Sequence, residues 1–357
     1  GSDIVLDCDV DLADYTGDKS QTPIGGTTTT TNFTGTFDGQ NHEIKGVELI
    51  KTGMTSASEI NWGLFGRVSG ATIKNLTVTG KVDGSSYGRR VAGLVGFAQN
   101  GATIENCVVN CAVSGRAYVG GIVGHAYSGI IKISNCRTTG TVKGGADSTC
   151  YTGGFVGFSS TAALEFENSK NGAAVEGGRC GGFVGRADKA AATITIRNSL
   201  NAGPVTGSAV DKSGCADTGG LIGLCYRFTI ENCMNTGAVQ TTLTSGVVGG
   251  VGGLYGRTAT TAASALTACY NAGTVTAPDG LNYAVVGNGN AKVTLKNVYY
   301  KSGVGVQRDG YEATEVDSST VTDPKSCKDA FAGLAETNWV YTNNGPELIT
   351  FHAHYFG

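Results

Sequence analysis

The chain has 357 residues, of which 57 are glycine and 5 are proline, and its formal net charge is −3. No basic run is longer than Arg89-Arg90, which argues against nucleic-acid binding. No apolar stretch approaches the ~20 residues that a membrane-spanning helix needs. Glycine enrichment without a G-X-Y period excludes collagen, and a hydrophobic content of 40% argues against a disordered linker.

The N-terminal segment, residues 1–50, predicts a cap and an atypical first coil. From Ile4 the sequence IVLDCDVDL alternates apolar and polar residues, as a half-buried strand does. In the following segment Phe33, Phe37 and Ile44 are predicted to plug the core. A stack of coils has open pairing edges at its ends, so both ends need such a cap.

Residues 51–305 contain two motifs that recur in phase about every 30 residues. The first, G-[LIF]-[VIFY]-G, occupies 63–66, 93–96, 121–124, 154–157, 182–185, 220–223 and 253–256, with a decayed copy at 284–287. The second, I-x-N-[CSL] or a variant of it, begins at Ile73, Ile104, Ile133, Phe166, Ile196, Ile230, Leu266 and Leu295.

Each unit reads as three short strands joined by turns, because its apolar runs are short, β-branched and interrupted by glycine. The sequence therefore predicts an all-β fold: a right-handed parallel β-helix of about eight coils with three short strands each, capped at both ends. The asparagine of the second motif suits a left-handed corner, where stacked amides could bond from coil to coil. The cysteines that follow it are predicted to be free, buried thiols.

The turn before each G-G pair carries a different set of cysteines. Cys150, Cys180 and Cys215 occupy this turn in successive coils. Since adjacent coils bring such turns close together, one disulfide is predicted, either Cys150–Cys180 or Cys180–Cys215.

The C-terminal segment, residues 306–357, abandons the repeat and predicts a C-terminal cap. Asp323 and Pro324 precede a short helical pattern, and Trp339 and Phe351 follow in strand-like surroundings.

The repeated G-[LIF]-V-G core resembles the GLUG motif of bacterial cell-surface proteins. The first coil, with P-I-G at 23–25 and F-T-G-T-F-D-G-Q-N-H-E-I-K-G from Phe33, is similar to that of such proteins from gut Bacteroidetes. The resemblance covers about residues 20–305. It implies an adhesin that is secreted or anchored in the outer membrane by a lipid outside this sequence, with a host or microbial glycan or surface protein as partner. Some GLUG proteins also carry a metallopeptidase, but the only His-Glu pair, His42-Glu43, is not followed by the second histidine of H-E-x-x-H.

A carbohydrate-active enzyme, of the polysaccharide lyase or glycoside hydrolase type, is the alternative, because β-helices also carry such sites. These enzymes need carboxylates clustered on adjacent coils. Glu105 and Glu231 occupy a repeat position typical of a solvated face, and Asp211 and Asp217 lie in the longest loop, where a cation is only weakly indicated. We predict no catalytic residues, no metal and no cofactor; a purely structural stalk is a third possibility.

One set of residues indicates a ligand-binding surface. Aromatic and guanidinium side chains recur in the turn before successive G-G pairs and would stack as a stripe, an arrangement that suits sugar rings and acidic glycans. Alternatively, these side chains only cover the backbone of the turn. The predicted stripe consists of Tyr87, Arg89, Arg90, Arg116, Tyr118, Tyr151 and Arg179.

Overall fold

A computed structural model describes residues 2–13, 22–27, 31–51, 58–84, 87–189, 191–259, 262–289 and 293–352. Its strands pair in parallel from coil to coil, which confirms the predicted β-solenoid, with about nine turns. Parts of the first coil, residues 14–21 and 28–30, lie outside the described residues.

Two sheets enclose the core, one with 27 strands and one with seven. The smaller sheet contains the strand before each G-G turn: Ser58–Trp62, Gly88–Ala92, Tyr118–Gly120, Tyr151–Gly153, Arg179–Gly181, Cys215–Gly219 and Gly249–Gly252.

The larger sheet winds around the other faces of the coil. Its strands in the first turns are Ile4–Val5, Val10–Asp11, Thr36–Ile50, Phe65–Asp83, Val95–Glu105 and Val108–Ser114. In the middle turns they are Val123–Ala126, Ile130–Ser134, Arg137–Lys143, Val156–Ser159, Ala163–Glu167, Lys170–Asn171, Ala174–Gly177, Val184–Ala187, Ile194–Arg197, Leu200–Asn201 and Val205–Gly207. In the last turns they are Ile222–Cys225, Phe228–Glu231, Met234–Asn235, Val239–Thr241, Tyr255–Thr258, Ser264–Asn271, Val275–Thr276, Val286–Gly289, Val293–Lys301 and Thr314–Val316.

The G-G turn divides what the sequence indicates as one strand into two, one on each sheet. In the coil from Tyr118 to Lys143, for example, Tyr118–Gly120 belongs to the smaller sheet and Val123–Ala126 to the larger. The turn requires glycine at both positions because the backbone approaches them closely: a Cβ on Gly121 would lie 2.1 Å from the carbonyl oxygen of Gly154.

The predicted left-handed corners are confirmed. The motif asparagines from Asn75 to Asn297 have φ between 47° and 54°, and the amide of Asn106 donates to that of Asn75 at 3.0 Å. The thiols that follow these asparagines, such as Cys107 and Cys136, are free and buried, as predicted.

A second asparagine ladder, which sequence reasoning missed, runs inside the solenoid. Asn171, Asn201, Asn235 and Asn271 are each 0% exposed, and each of the first three donates to the next side-chain oxygen at 2.7, 2.7 and 2.8 Å. The ladder explains the second glycine of the G-G pair, because a Cβ on Gly182 would lie 2.5 Å from the amide carbon of Asn201.

The predicted disulfide, Cys150–Cys180 or Cys180–Cys215, is wrong, since all three thiols are free. Cys180 pairs in register with Thr152, two residues beyond Cys150. On the other side of Cys180, the adjacent Gly181 pairs with Gly219. Cys180 therefore lies opposite the end of strand Cys215–Gly219, more than two residues from Cys215. An offset of two residues between strands ~4.8 Å apart separates the Cα atoms by about 8 Å, beyond the span of a disulfide.

Both chain ends pack against the solenoid, but in different ways. Phe33, Phe37 and Ile44 are buried at the N-terminal end, as predicted, and both phenyl rings contact Phe65 at 5.3 and 5.2 Å. At the other end strand Thr314–Val316 pairs with the last coil.

The remaining C-terminal residues fold against the side of the last coils. They form a helix at Pro324–Ala330, which Asp323 precedes as predicted and also caps, and a hairpin of Trp339–Thr342 with Gly345–Leu348. Short 3-10 turns occupy Pro278–Gly280, Ser318–Thr320 and Ile349–Phe351. Phe351 therefore lies in a turn and not in the strand that the sequence indicates. Phe331 covers the outward-facing rings of Tyr270 and Tyr299 at 5.0 and 5.2 Å. No helix in the described part is long and apolar enough to cross a bilayer.

Candidate functional site

Four residues of the predicted stripe stand in one column on the smaller sheet. Arg90 pairs in register with Tyr118, Tyr118 with Tyr151, and Tyr151 with Arg179. The next residue along the strand, such as Val119, points into the core. Alternation along the strand therefore turns the column outward.

The other three predicted residues lie beside this column. Arg89 reaches it through its side chain, which donates to the Tyr118 hydroxyl at 3.1 Å. Tyr87 is exposed and directly precedes strand Gly88–Ala92. Arg116 lies in the preceding turn and is bonded to Asp147 at 3.4 Å, so it does not join the column.

A second column, which the sequence analysis missed, lies across the G-G turn on the larger sheet. Arg67 pairs in register with Phe97, Phe97 with His125, His125 with Phe158, and Phe158 with Arg186. Each of these residues directly follows the last glycine of a motif copy. That shared position was the available signal, but only the bend of the chain shows that it meets the stripe.

The two columns contact each other through aromatic rings, which we call the aromatic seam: Phe97, Tyr118, His125, Tyr151 and Phe158. The ring of Tyr118 lies 4.5 Å from that of Phe158 and 5.2 Å from His125. Phe158 also stacks on Tyr151 at 5.4 Å. Such contacts add roughly 0.5–1.5 kcal/mol each beyond area burial, so the seam holds its side chains in place.

Most of the seam is buried, and its accessible part, in which we include the neighbouring side chains Tyr87, Arg90 and Tyr127, lies toward the N-terminal coils. Tyr127 is 49% exposed, and its ring lies 5.5 Å from that of Phe97 in a tilted arrangement. Tyr118 and Arg90 are half-buried, and Tyr87 is exposed. A ligand would meet these side chains first.

Toward the C-terminal coils the seam ends in a network of ion pairs. Arg179 is 5% exposed and bonds to the fully buried carboxylate of Asp217 at 2.6 Å. Arg257 bonds to both Asp217 and Asp211, at 2.7 and 2.5 Å. Arg179 is thus held inside the protein and does not line a surface, contrary to the prediction. The sequence weakly indicates a cation site at Asp211 and Asp217. In the structure both carboxylates are bonded to Arg257 instead.

The backbone of Asp217 lies in the left-handed region, which aspartate adopts more readily than most residues other than glycine. Its φ of 46° is rare for a non-glycine residue, and the pairing register shifts between Cys215 and Thr218 around it. Burial raises the pKa of Asp217, although the charges of Arg257 and Arg179 oppose that shift.

His125 is the only histidine in the seam, and its surroundings keep it neutral. It is 4% exposed, and its Nε2 lies 2.7 Å from the Ser160 hydroxyl. Burial, and then the charges of Arg90, Arg89 and Arg67, lower its pKa to about 3. Its Nδ1 has no hydrogen-bond partner, whereas a serine-activating histidine needs a basic ring oriented through that atom. The Ser160–His125 pair is therefore unsuited to nucleophilic catalysis.

Comparison with known proteins identifies the repeat. Residues 115–143, which include Tyr118 and His125, match the family described as the GLUG motif. The chain is a GLUG-repeat protein. Each repeat therefore contributes one residue to each of the two columns. In the repeat that matches the GLUG motif, these residues are Tyr118 and His125.

No curated protein matches the chain. Among solved structures it is similar to a Bacteroides ovatus protein named a "putative immunoglobulin A1 protease", with a TM-score of 0.47 and 17% identity. The match covers 98% of this GLUG-repeat chain and 86% of the other.

Proposed function

We propose that this protein is a non-enzymatic bacterial adhesin, displayed at the cell surface by a lipid anchor or secreted, which binds a glycan or a surface protein of host or microbe. The solenoid acts as a rigid support, and the accessible part of the aromatic seam forms the binding surface. The observation that carries the proposal is the surface formed by Arg90, Tyr118 and the exposed Tyr127. Arg90 pairs in register with Tyr118 of the next coil, and the rings of Tyr118 and Tyr127 both contact His125.

The residue types at this surface fit recognition. Tyrosine and arginine dominate the energetics of binding sites, since flat rings stack on apolar faces and guanidinium groups donate several fixed hydrogen bonds. Here Arg89 lies over the Tyr118 ring at 5.3 Å and Tyr127 presents an open ring. These side chains are already held in position by the seam beneath them, which lowers the entropy lost on binding.

The arrangement of carboxylates also favours binding over catalysis. Hydrolases and lyases of sugars need side chains that exchange protons with a substrate. Asp211 and Asp217 converge beside the seam, but both are bonded to Arg257, and Asp217 has no exposure to solvent. Among the described residues no three His, Cys, Asp or Glu side chains are grouped as metal ligands.

A screen of glycans and mucins tests the proposal. We expect Tyr127→Ala and Tyr118→Ala to weaken binding at least about tenfold, the usual loss for an aromatic residue at the centre of an interface. Tyr226→Ala is the matched control, because Tyr226 holds the position of Tyr127 in a later repeat, outside the seam.

Two results would overturn the proposal. If Tyr127→Ala and Tyr118→Ala bind as tightly as the wild type, the ligand binds somewhere other than the seam. Release of new reducing ends from any bound polysaccharide would make the protein an enzyme.

A further inference from the structure

The two ends of the aromatic seam differ in how their positive charge is balanced. At the C-terminal end every arginine has an acidic partner: Arg179 with Asp217, Arg186 with Asp188, and Arg257 with Asp211 and Asp217. At the N-terminal end, Arg67 has no acidic partner within the described part of the chain.

Arg67 is a buried cation whose partners are neutral. It is 4% exposed, and its guanidinium stacks on the Phe97 ring at 4.1 Å. Its Nε donates to the side-chain oxygen of Asn32 at 3.2 Å and its Nη2 to that of Gln99 at 3.4 Å. Within the described part of the chain no carboxylate is bonded to Arg67. A buried charge without a counter-charge is unfavourable, so an anion from outside would stabilise it.

Two further groups make this end suited to an anion. The guanidinium of Arg90 lies over the same Phe97 ring at 4.8 Å, and after burial its charge is the second cause that lowers the pKa of Arg67. Phe97 also contacts the ring of His125, whose buried Nδ1 has no hydrogen-bond partner. When Ser160 donates to Nε2, the neutral ring offers its Nδ1–H as a donor.

We propose that this end of the seam binds the anionic substituent, a carboxylate or a sulfate, of an acidic saccharide. Arg67 neutralises the charge, and the sugar ring stacks on the exposed face of Tyr127, which contacts the same Phe97 ring. The inference rests on the proposed function and names the ligand class of that surface. Planar guanidinium groups favour carboxylate and sulfate, because they donate two parallel hydrogen bonds to either group.

The test compares Arg67→Met with the wild-type chain. Methionine keeps an apolar side chain over Phe97 but removes the charge. Arg227→Gln is the control, since Arg227 is exposed and lies in a later coil, so it removes one positive charge away from the seam. The ligands are oligogalacturonate, which carries carboxylates, dextran sulfate, which carries sulfates, and neutral dextran.

We expect Arg67→Met to bind the preferred acidic polymer at least about tenfold more weakly, whereas Arg227→Gln binds like the wild type. The polymer that binds more tightly identifies the substituent. A second readout is the Tm in sodium sulfate compared with sodium chloride at equal ionic strength. Sulfate stabilises proteins in general, so the expected result is a larger rise for the wild type and Arg227→Gln than for Arg67→Met.

The outcomes separate this inference from the proposed function. If neutral dextran binds as well as the acidic polymers, and Arg67→Met changes nothing, the inference fails while glycan binding stands. If no glycan or protein binds, but only Arg67→Met loses the extra sulfate stabilisation, the anion site stands and the adhesin proposal fails. A fall in Tm of Arg67→Met without any anion, by several degrees relative to Arg227→Gln, would show that Arg67 is structural and overturn the inference.

Discussion

Replacing Asn201 by alanine should remove one rung of the buried asparagine ladder. Asn201 is 0% exposed and lies in the middle of the solenoid. Its amide donates to the Asn235 side-chain oxygen at 2.7 Å and to the Gly203 carbonyl at 2.9 Å, and it accepts from the Asn171 amide at 2.7 Å. The substitution therefore breaks three hydrogen bonds and leaves a small cavity.

The expected loss follows from those three bonds. A hydrogen bond contributes about 1 kcal/mol net, and a buried polar atom left without a partner costs about 1–3 kcal/mol. Asn235 loses the donor to its side-chain oxygen, so the free energy of unfolding should fall by about 3–5 kcal/mol.

Urea unfolding followed by circular dichroism measures the total effect, and hydrogen exchange with mass spectrometry locates it. Because each coil contacts its neighbours only, exchange should rise first in strands Ile194–Arg197 and Val205–Gly207. Asn110→Ala is the matched control: Asn110 is exposed, and its loss should change stability by less than about 0.5 kcal/mol. Equal stability of the two variants would refute the role assigned to the ladder.

Three further results are expected. Gly182→Ala should destabilise the fold by about 3 kcal/mol or more, since its Cβ would lie 2.1 Å from a backbone oxygen. The control is Gly172→Ala, whose Cβ would lie 3.3 Å from the nearest atom and which should change stability by less than about 1 kcal/mol. Similar urea midpoints for the two variants would contradict this prediction. The pKa of His125 is lowered to about 3 in the folded protein, so as pH falls below about 6.5 only the unfolded state takes up a proton on this residue. The free energy of unfolding should therefore drop by about 2 kcal/mol between pH 6.5 and 5. In His125→Phe this drop should largely disappear, and an unchanged pH profile would show that His125 is not its source. Finally, a thiol reagent should modify only the exposed Cys8 in the native protein and all 11 cysteines after denaturation, whereas a disulfide would leave two unmodified.

The sequence by itself was enough to predict the solenoid, its parallel pairing, its left-handed corners and the buried thiols beside them. These features depend on positions that repeat with one period, and equivalent positions of a regular coil stack on each other. The column of Arg90, Tyr118, Tyr151 and Arg179 was predictable for the same reason.

Tertiary structure decided whatever depends on contacts between positions that are not equivalent. The meeting of Tyr118 with Phe158 depends on how sharply the G-G turn bends, and the absence of the predicted disulfide depends on an offset of two residues in register. Arg179 is held inside the protein because Asp217 of the next coil bonds to it, and Asp217 is itself bonded to Arg257 from across the G-G turn. A repeat specifies which residues stack along the rod, but bends and bulges set which columns face each other, and no single repeat encodes them.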